Sequence, residues 1–315
     1  MKKYIKIPLQ IMCVLFIIIN ILIIIQAYGF THFRENTSQT DFKPGFSTLF
    51  TGVKIPKPKT QEYPKIKYQT LKIPAGQNRF LEAWLLQPST TSKGLVILFH
   101  GFRAEKSSML DRAYVLLNLG YKIMLVDFPA AGNSYGTQNT MGYYEADSVK
   151  QSYEYAWKEL NEKNIILGGF SMGAVAIIKA QHDYNLNVKA LILEAPYGKM
   201  IDASKVRLQK IPYIGIPFSY LITFWGGIIN GYDAFSMNPE EYNKQVFTPT
   251  LLLCGGQDPR IPVDESERIF NNSGSKIKEF KVFPKSYHHS YLEKYPTEWK
   301  ETVQKFLVKA QTHKE

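Results

Sequence analysis

The chain opens on one long apolar block and then settles into short alternations of apolar and polar runs. Ile11 to Ile25 are apolar except for Asn20, and the block stretches from Ile5 to Ala27 if Pro8, Gln10 and Gln26 are accepted near its ends. The strict count of 15 residues falls between the core of a signal peptide and a spanning helix of about 20 residues. Either form sends the rest of the chain across a membrane, with Lys2, Lys3 and Lys6 kept on the inner side. The far flank carries Arg34 and Lys43 against Glu35 and Asp41, so the charge bias that sets orientation is weak. Ala27-Tyr28-Gly29 offers small residues where a signal peptidase cuts, but an Ile-rich core without a sharp polar end reads as an uncleaved anchor. Residues 1–29 are therefore read as a signal anchor, with a cleaved signal peptide, and last a merely buried hydrophobic helix, as the alternatives. The remainder is expected on the extracytoplasmic side, periplasmic or extracellular, or secreted if the segment is cut.

Residues 30–64 show no apolar periodicity and hold Pro44, Gly45, Pro56, Pro58 and Pro64, which reads as a linker or irregular lead-in. From residue 65 to 315 short strand-like runs alternate with amphipathic helical segments. Strands are expected over Ile66 to Ile73, Phe80 to Leu86, Leu95 to Phe99, Ile123 to Val126, Ile165 to Leu167, Leu191 to Leu193, Thr250 to Cys254 and Ile277 to Phe283. Helices are expected around Ser107 to Leu119, Tyr143 to Leu160, after Met172, Val263 to Asn271, and Tyr291 to about Lys309. This alternation predicts an α/β fold, a mostly parallel, doubly wound sheet with helices on both faces. Val96-Ile97-Leu98-Phe99 and Leu251-Leu252-Leu253-Cys254 fit strands buried on both sides. One stretch breaks the rhythm. Residues 197–245 are rich in Tyr, Phe, Trp, Ile, Gly and Pro, including Ile211, Pro212, Ile214, Tyr220, Phe224, Trp225 and Ile228, and read as a cap inserted over a pocket.

Composition narrows the class. With 45% hydrophobic and 21% charged residues in 315, the chain is an ordinary globular one, neither disordered nor repetitive. The net charge of +11 is concentrated early: residues 1–99 hold 13 basic and 4 acidic side chains. Lys54, Lys57, Lys59, Lys65, Lys67 and Lys72 could face anionic lipid headgroups or simply solubilise the lead-in. No nucleic-acid partner is expected. Two cysteines, Cys13 in the apolar block and Cys254 in an expected buried strand, exclude a disulfide framework. Scattered histidines and two distant cysteines give no metal-ligand spacing, and Gly168-Gly169 lacks the Lys and further glycines of a phosphate cradle. No cofactor is expected.

The chemistry concentrates in Gly169-Phe170-Ser171-Met172-Gly173, which follows a strand and opens a helix. A turn that sharp needs small residues at both flanks, lifts the Ser171 hydroxyl clear of the sheet and places the Met172 amide at a helix N-terminus. A serine hydroxyl is a weak nucleophile and needs a base held by a carboxylate. Gly255-Gly256-Gln257-Asp258-Pro259-Arg260 follows a strand and puts Asp258 in a loop at its carboxyl end. Phe283-Pro284-Lys285-Ser286-Tyr287-His288-His289-Ser290 puts two histidines before the last helix. His288 is read as the base with His289 as its competitor, and Asp258 as the acid with Glu194 as its competitor.

The order Ser171, Asp258, His288 resembles the α/β-hydrolase superfamily of serine hydrolases, in particular bacterial esterase, monoglyceride-lipase-like and serine-aminopeptidase-like members, over about residues 66–309. Phe99-His100-Gly101-Phe102 is similar to that family's oxyanion loop, and Val126-Asp127-Phe128-Pro129-Ala130-Ala131-Gly132-Asn133-Ser134 to the turn after its fourth strand, although Phe128-Pro129 stands where many members have Arg-Gly. The resemblance implies an oxyanion hole made by the Phe102 and Met172 amides. His100 is read as a buttress of that loop. Asp127 and Asp147 are read as structural, and His182 and His313 as packed or solvated.

The resulting expectation is hydrolysis of carboxylic esters or related acyl compounds with a hydrophobic moiety, through an acyl-enzyme on Ser171. The aromatic cap carries that substrate preference, since Ile211 to Asp233 contains no basic residue to receive a charged group. A serine exopeptidase would use the same three residues and need an amine- or carboxylate-reading group, for which Asp202, Asp233 and Glu240 are the cap candidates. A non-catalytic, membrane-tethered binding protein on the same fold is the remaining alternative.

Overall fold

A computed structural model of the chain describes residues 8–35, 47–208, 213 and 215–312. Of the residues singled out above, Lys2, Lys3, Ile5, Lys6, Asp41, Lys43, Pro44, Gly45, Ile211, Pro212, Ile214 and His313 lie outside these. In chain order the elements are α1 (Leu9–Thr31), α2 (Thr48–Thr51), β1 (Tyr68–Pro74), β2 (Phe80–Leu86), β3 (Leu95–Phe99), α3 (Leu110–Asn118), β4 (Lys122–Val126), α4 (Glu145–Lys158), β5 (Ile165–Phe170) and α5 (Met172–Tyr184). There follow β6 (Ala190–Glu194), α6 (Met200–Leu208), α7 (Gly215–Asn230), α8 (Pro239–Tyr242), β7 (Thr250–Gly255), α9 (Val263–Asn272), β8 (Lys278–Phe283) and α10 (Pro296–Thr312).

The strands form one eight-stranded sheet in the order β1-β2-β4-β3-β5-β6-β7-β8. From β4 through β8 every pairing is parallel, and β1 and β2 join antiparallel at one edge. The mostly parallel α/β architecture read from the sequence is the one observed. Central strands β3, β5, β6 and β7 carry apolar side chains on both faces because helices cover both, and two core clusters lie on either side of the sheet. The helix expected from Ser107 starts in a tight turn over Lys106–Met109, so the α-helix proper begins at Leu110. The last helix starts later than read, at Pro296, the residue that suits a first helical turn.

Parallel strands all point the same way, so the loops after β3, β5, β7 and β8 emerge at one edge. Charge locks part of that edge. Lys106 is fully buried, its Nζ 2.5 Å from Asp127 Oδ2 and 2.9 Å from Glu82 Oε1, and 4.4 Å above the Trp84 ring. Its own backbone amide donates to Asp127 Oδ1 at 2.7 Å, so the loop after β3 is fastened to the end of β4.

The lead-in lies against the domain. Phe33 and Ile55 are buried with Ala130, Arg34 bridges Pro56, and the Lys57 ammonium donates to the Ser134 carbonyl at 2.8 Å. Helix α1 keeps most of its outer surface exposed, yet its second half packs on α6 and α7: Ile23 and Ala27 meet Leu208 and Ile222, and the Trp225 indole donates to Asn20 Oδ1 at 3.0 Å. Residues of α2 close the other side, where Gln26 Nε2 donates to the Thr48 carbonyl at 2.6 Å. The approach there is backbone to backbone. A methyl at Gly29 would lie 2.1 Å from the Val53 carbonyl oxygen, and one at Gly52 2.7 Å from that of Ile25.

Candidate active site

Ser171 sits between β5 and α5 with φ 53° and ψ −113°, a conformation that costs a non-glycine residue about 1–3 kcal/mol. Its neighbours make the turn possible. A methyl at Gly169 would stand 2.5 Å from the Gly173 carbonyl carbon, and one at Gly173 2.3 Å from the Phe99 carbonyl oxygen. The Ser171 amide donates to the Glu194 carbonyl at 2.7 Å, which pins the turn to the end of β6.

The three side chains that the sequence reading selected stand in one hydrogen-bonded row. Ser171 Oγ lies 3.0 Å from His288 Nε2, and His288 Nδ1 lies 2.6 Å from Asp258 Oδ2. Asp258 also accepts from the Arg260 and Ile261 amides through Oδ1 at 2.8 and 3.1 Å, so its carboxylate is fixed by its own loop. With a buried carboxylate accepting the hydrogen bond of Nδ1–H, Nε2 is left to accept from the serine hydroxyl. A row of this kind can remove the hydroxyl proton as the oxygen attacks an electrophilic carbon.

Met172 opens α5, where first-turn amides have no partner within the helix and the helix dipole is positive. Gly101 faces the same turn, a methyl there lying 3.5 Å from Ser171 Cβ, and Phe102 is the next residue. His100 Nδ1 meets the Gly101 carbonyl at 2.8 Å, and its Nε2 accepts from the Phe128 amide at 3.1 Å. Burial holds the His100 pKa below its ordinary value, in keeping with a neutral ring that braces the loop.

The competitors are placed elsewhere. His289 pairs with Glu293 at 3.3 Å and His182 with Asp183 at 2.8 Å. Glu194 is buried against Arg112 at 2.7 Å and the Trp299 indole at 3.1 Å. Asp127 holds Lys106, and Asp147 accepts from the Tyr184 hydroxyl. Cys254 is buried in β7, its thiol pushed up to about 12 by desolvation, and Cys13 lies on the exposed face of α1. Among the described residues no three of His, Cys, Asp and Glu gather as a metal ion would need.

One support was not read from the sequence. Ser290 donates to Asp111, Asp111 pairs with Arg112 at 3.1 Å, and Arg112 pairs with Glu194, so the loop bearing His288 is moored to α3 and to β6. The signal was weak, an Asp-Arg pair inside an ordinary amphipathic helix.

Residues 90–214 match the family described as Serine aminopeptidase, S33. The chain is 23% identical over 240 residues to the uncharacterized protein YqkD of Bacillus subtilis, covering 75% of this chain and 77% of that one. It is 22% identical over 258 residues to the lysophosphatidylserine lipase ABHD12 of Mus musculus, covering 74% of this chain and 61% of the lipase. Among solved structures, an esterase of Pyrococcus furiosus, Pf2001, superposes with a TM-score of 0.66 at 22% identity, covering 81% of this chain and 96% of that one. Sheet order, turn geometry and these likenesses agree: the chain has the α/β-hydrolase fold.

Proposed function

We propose that this chain is a serine hydrolase that cleaves carboxylic esters bearing an apolar moiety. The observation that carries the reading is the row Ser171–His288–Asp258, closed by hydrogen bonds of 3.0 and 2.6 Å. In the first half-reaction the Ser171 oxygen attacks the ester carbon while His288 Nε2 takes its proton. The negative charge that develops on the carbonyl oxygen is received by the Met172 and Phe102 amides, and Asp258 stabilises the imidazolium. His288 returns the proton to the departing alcohol, leaving an acyl group on Ser171. A water deprotonated by His288 then releases the acid and restores the hydroxyl. Each oxyanion donor of this kind is worth about 2.7–4 kcal/mol of transition-state stabilisation.

Relatives named as esterases and lipases support the ester bond, and the apolar cap supports an apolar substrate. The family description raises the exopeptidase reading, but the cap carboxylates that could receive an amine are engaged: Asp202 with Lys205 at 3.1 Å, Glu240 with Arg268 at 3.4 Å, and Asp233 with the Phe235 amide at 2.9 Å.

We also read α1 as a retained membrane anchor with the catalytic domain outside the cytoplasm. Cutting the chain at Ala27 to Gly29 would strip the residues that cover Leu208 and Ile222 on the cap. The exposed face of α7, with Ile216, Phe224 and Ile228, is as apolar as the free face of α1 beside it.

A fluorophosphonate probe tests the chemistry. It is expected to label the folded chain once, at Ser171, and Ser171→Ala is expected to lose both labelling and hydrolysis of a p-nitrophenyl ester. Folded protein that does not label, or an alanine variant that still hydrolyses, refutes the mechanism.

A further inference from the structure

Three arginines neighbour the residues named for the candidate site, two from loops of the core and one from helix α6. Arg103 directly follows Phe102 and holds a left-handed backbone at φ 61°. Arg260 lies two residues beyond Asp258, and its backbone amide is bonded to that carboxylate at 2.8 Å. Arg207 descends from the last turn of cap helix α6, with its guanidinium carbon 5.8 Å from the centre of the Phe102 ring. All three are exposed side chains. Neither Arg207 nor Arg260 forms an ion pair with a carboxylate among the described residues; the one hydrogen bond of the Arg207 guanidinium given by the structure goes to the Ala203 carbonyl, at 2.6 Å. Desolvation of the guanidinium and then the Arg260 charge pull the Arg207 pKa down to about 10, so the two cations stand close enough to feel each other. Arg103 is likewise lowered by burial and by Arg260.

Holding Arg207 and Arg260 near each other without a carboxylate among the described residues between them is unfavourable, and the arrangement is relieved by an anion. Guanidinium groups suit this because each offers a planar fork of donors to a carboxylate or a phosphate. We propose that Arg207 and Arg260 form an anion-binding rim beside the candidate nucleophile, so that the substrate is an acyl ester carrying a carboxylate or phosphate near the bond to be cut. This deepens the esterase reading and rests on it. The apolar cap receives the acyl chain and the rim receives the charged end, so an amphiphile is oriented along the cleft before attack. The absence of basic residues from Ile211 to Asp233 pointed to a neutral substrate, but the cations come from Arg207 just before that stretch and from Arg260 in a loop of the core.

Two pairs of single-ester lipids with one acyl chain test this. In the phosphate arm, monoacylglycerol phosphate is compared with monoacylglycerol. In the carboxylate arm, acyl lactate is compared with acyl lactamide. The parent chain is expected to favour the charged member in kcat/KM by about tenfold or more in at least one arm. Arg207→Gln and Arg260→Gln are expected to bring that ratio towards one, and Arg260→Lys to restore part of it. Lys205→Gln, on the same helix but paired with Asp202, is expected to keep the parent ratio. Preference in one arm identifies the anion, and preference in both identifies a general anion site. A parent ratio near one in both arms, or a preference that survives Arg207→Gln and Arg260→Gln, overturns the proposal. If no ester is turned over at all, the esterase reading fails separately, and calorimetric binding of the same lipids to Ser171→Ala decides the rim: the charged members bind more tightly only if the arginines read them.

Discussion

Replacing Gly173 by alanine tests whether the close approach of α5 to β3 positions the candidate nucleophile. The added methyl would lie 2.3 Å from the Phe99 carbonyl oxygen, 2.8 Å from its carbon and 2.9 Å from the His100 carbonyl oxygen. All three are backbone atoms of the strand end that leads into the Phe102 loop, so no side chain can swing aside. Restoring ordinary contact demands a retreat of about 1 Å by the helix start. That movement carries Met172 and Ser171 away from Phe102 and His288. A 1 Å misplacement of reacting groups costs on the order of a hundredfold in rate. Overpacking of a tight core costs about 1–3 kcal/mol, partly offset by the roughly 1 kcal/mol gained when alanine replaces glycine in a helix. We expect kcat/KM for a p-nitrophenyl ester to fall about a hundredfold, with a smaller loss of stability in urea. Gly226→Ala is the control, because a methyl there meets nothing within 4 Å; it is expected to leave the rate alone and to stabilise the helix slightly. If Gly173→Ala keeps the parent rate within about threefold while folded, the contact does not position Ser171 and the argument from turn geometry fails.

Two further outcomes follow from features outside the row of three. Glu265, buried on α9 and accepting from the Gly198 amide at 2.6 Å, has its pKa raised from 4.5 to about 7, chiefly by desolvation. The folded chain therefore holds a proton that the unfolded chain releases. This contribution to stability is complete below pH 4.5 and is lost as the pH rises through about 7, a span worth about 3 kcal/mol. Glu265→Gln should flatten the melting temperature between pH 5 and 8 and raise it at pH 8, and parallel curves for the two proteins would contradict this. A chain starting at Phe33 should leave the membrane fraction yet expose Leu208, Ile222 and Trp225, giving red-shifted tryptophan emission and self-association. A monodisperse product with unchanged emission would show that α1 does not cover the cap.

The parts of this molecule that were legible in the sequence are those written locally. β2 and β3 begin and end where their apolar runs do. Ser171, Asp258 and His288 were found because each sits directly after a strand, and parallel strands deliver such loops to a common edge. What was not legible depends on pairs far apart in the chain. Lys106 looks like a surface lysine until Glu82 and Asp127 arrive from neighbouring strands. Arg112 meets Glu194 82 positions away, and Trp225 meets Asn20 205 positions away. The arginine rim was hidden for the same reason: Arg207 and Arg260 come from helix α6 and from the loop after β7, 53 positions apart.

The seat of α1 restricts how this protein can be re-engineered. Because Gly29 and Gly52 let main chains touch, and because Asn20 and Gln26 spend their amides on Trp225 and on the carbonyl of Thr48, a borrowed helix of equal oiliness would not dock. Chimeras that swap the anchor for a generic one would carry a misfitted wall beside the cap, and purification schemes that replace the N-terminus must graft these four positions along with the length.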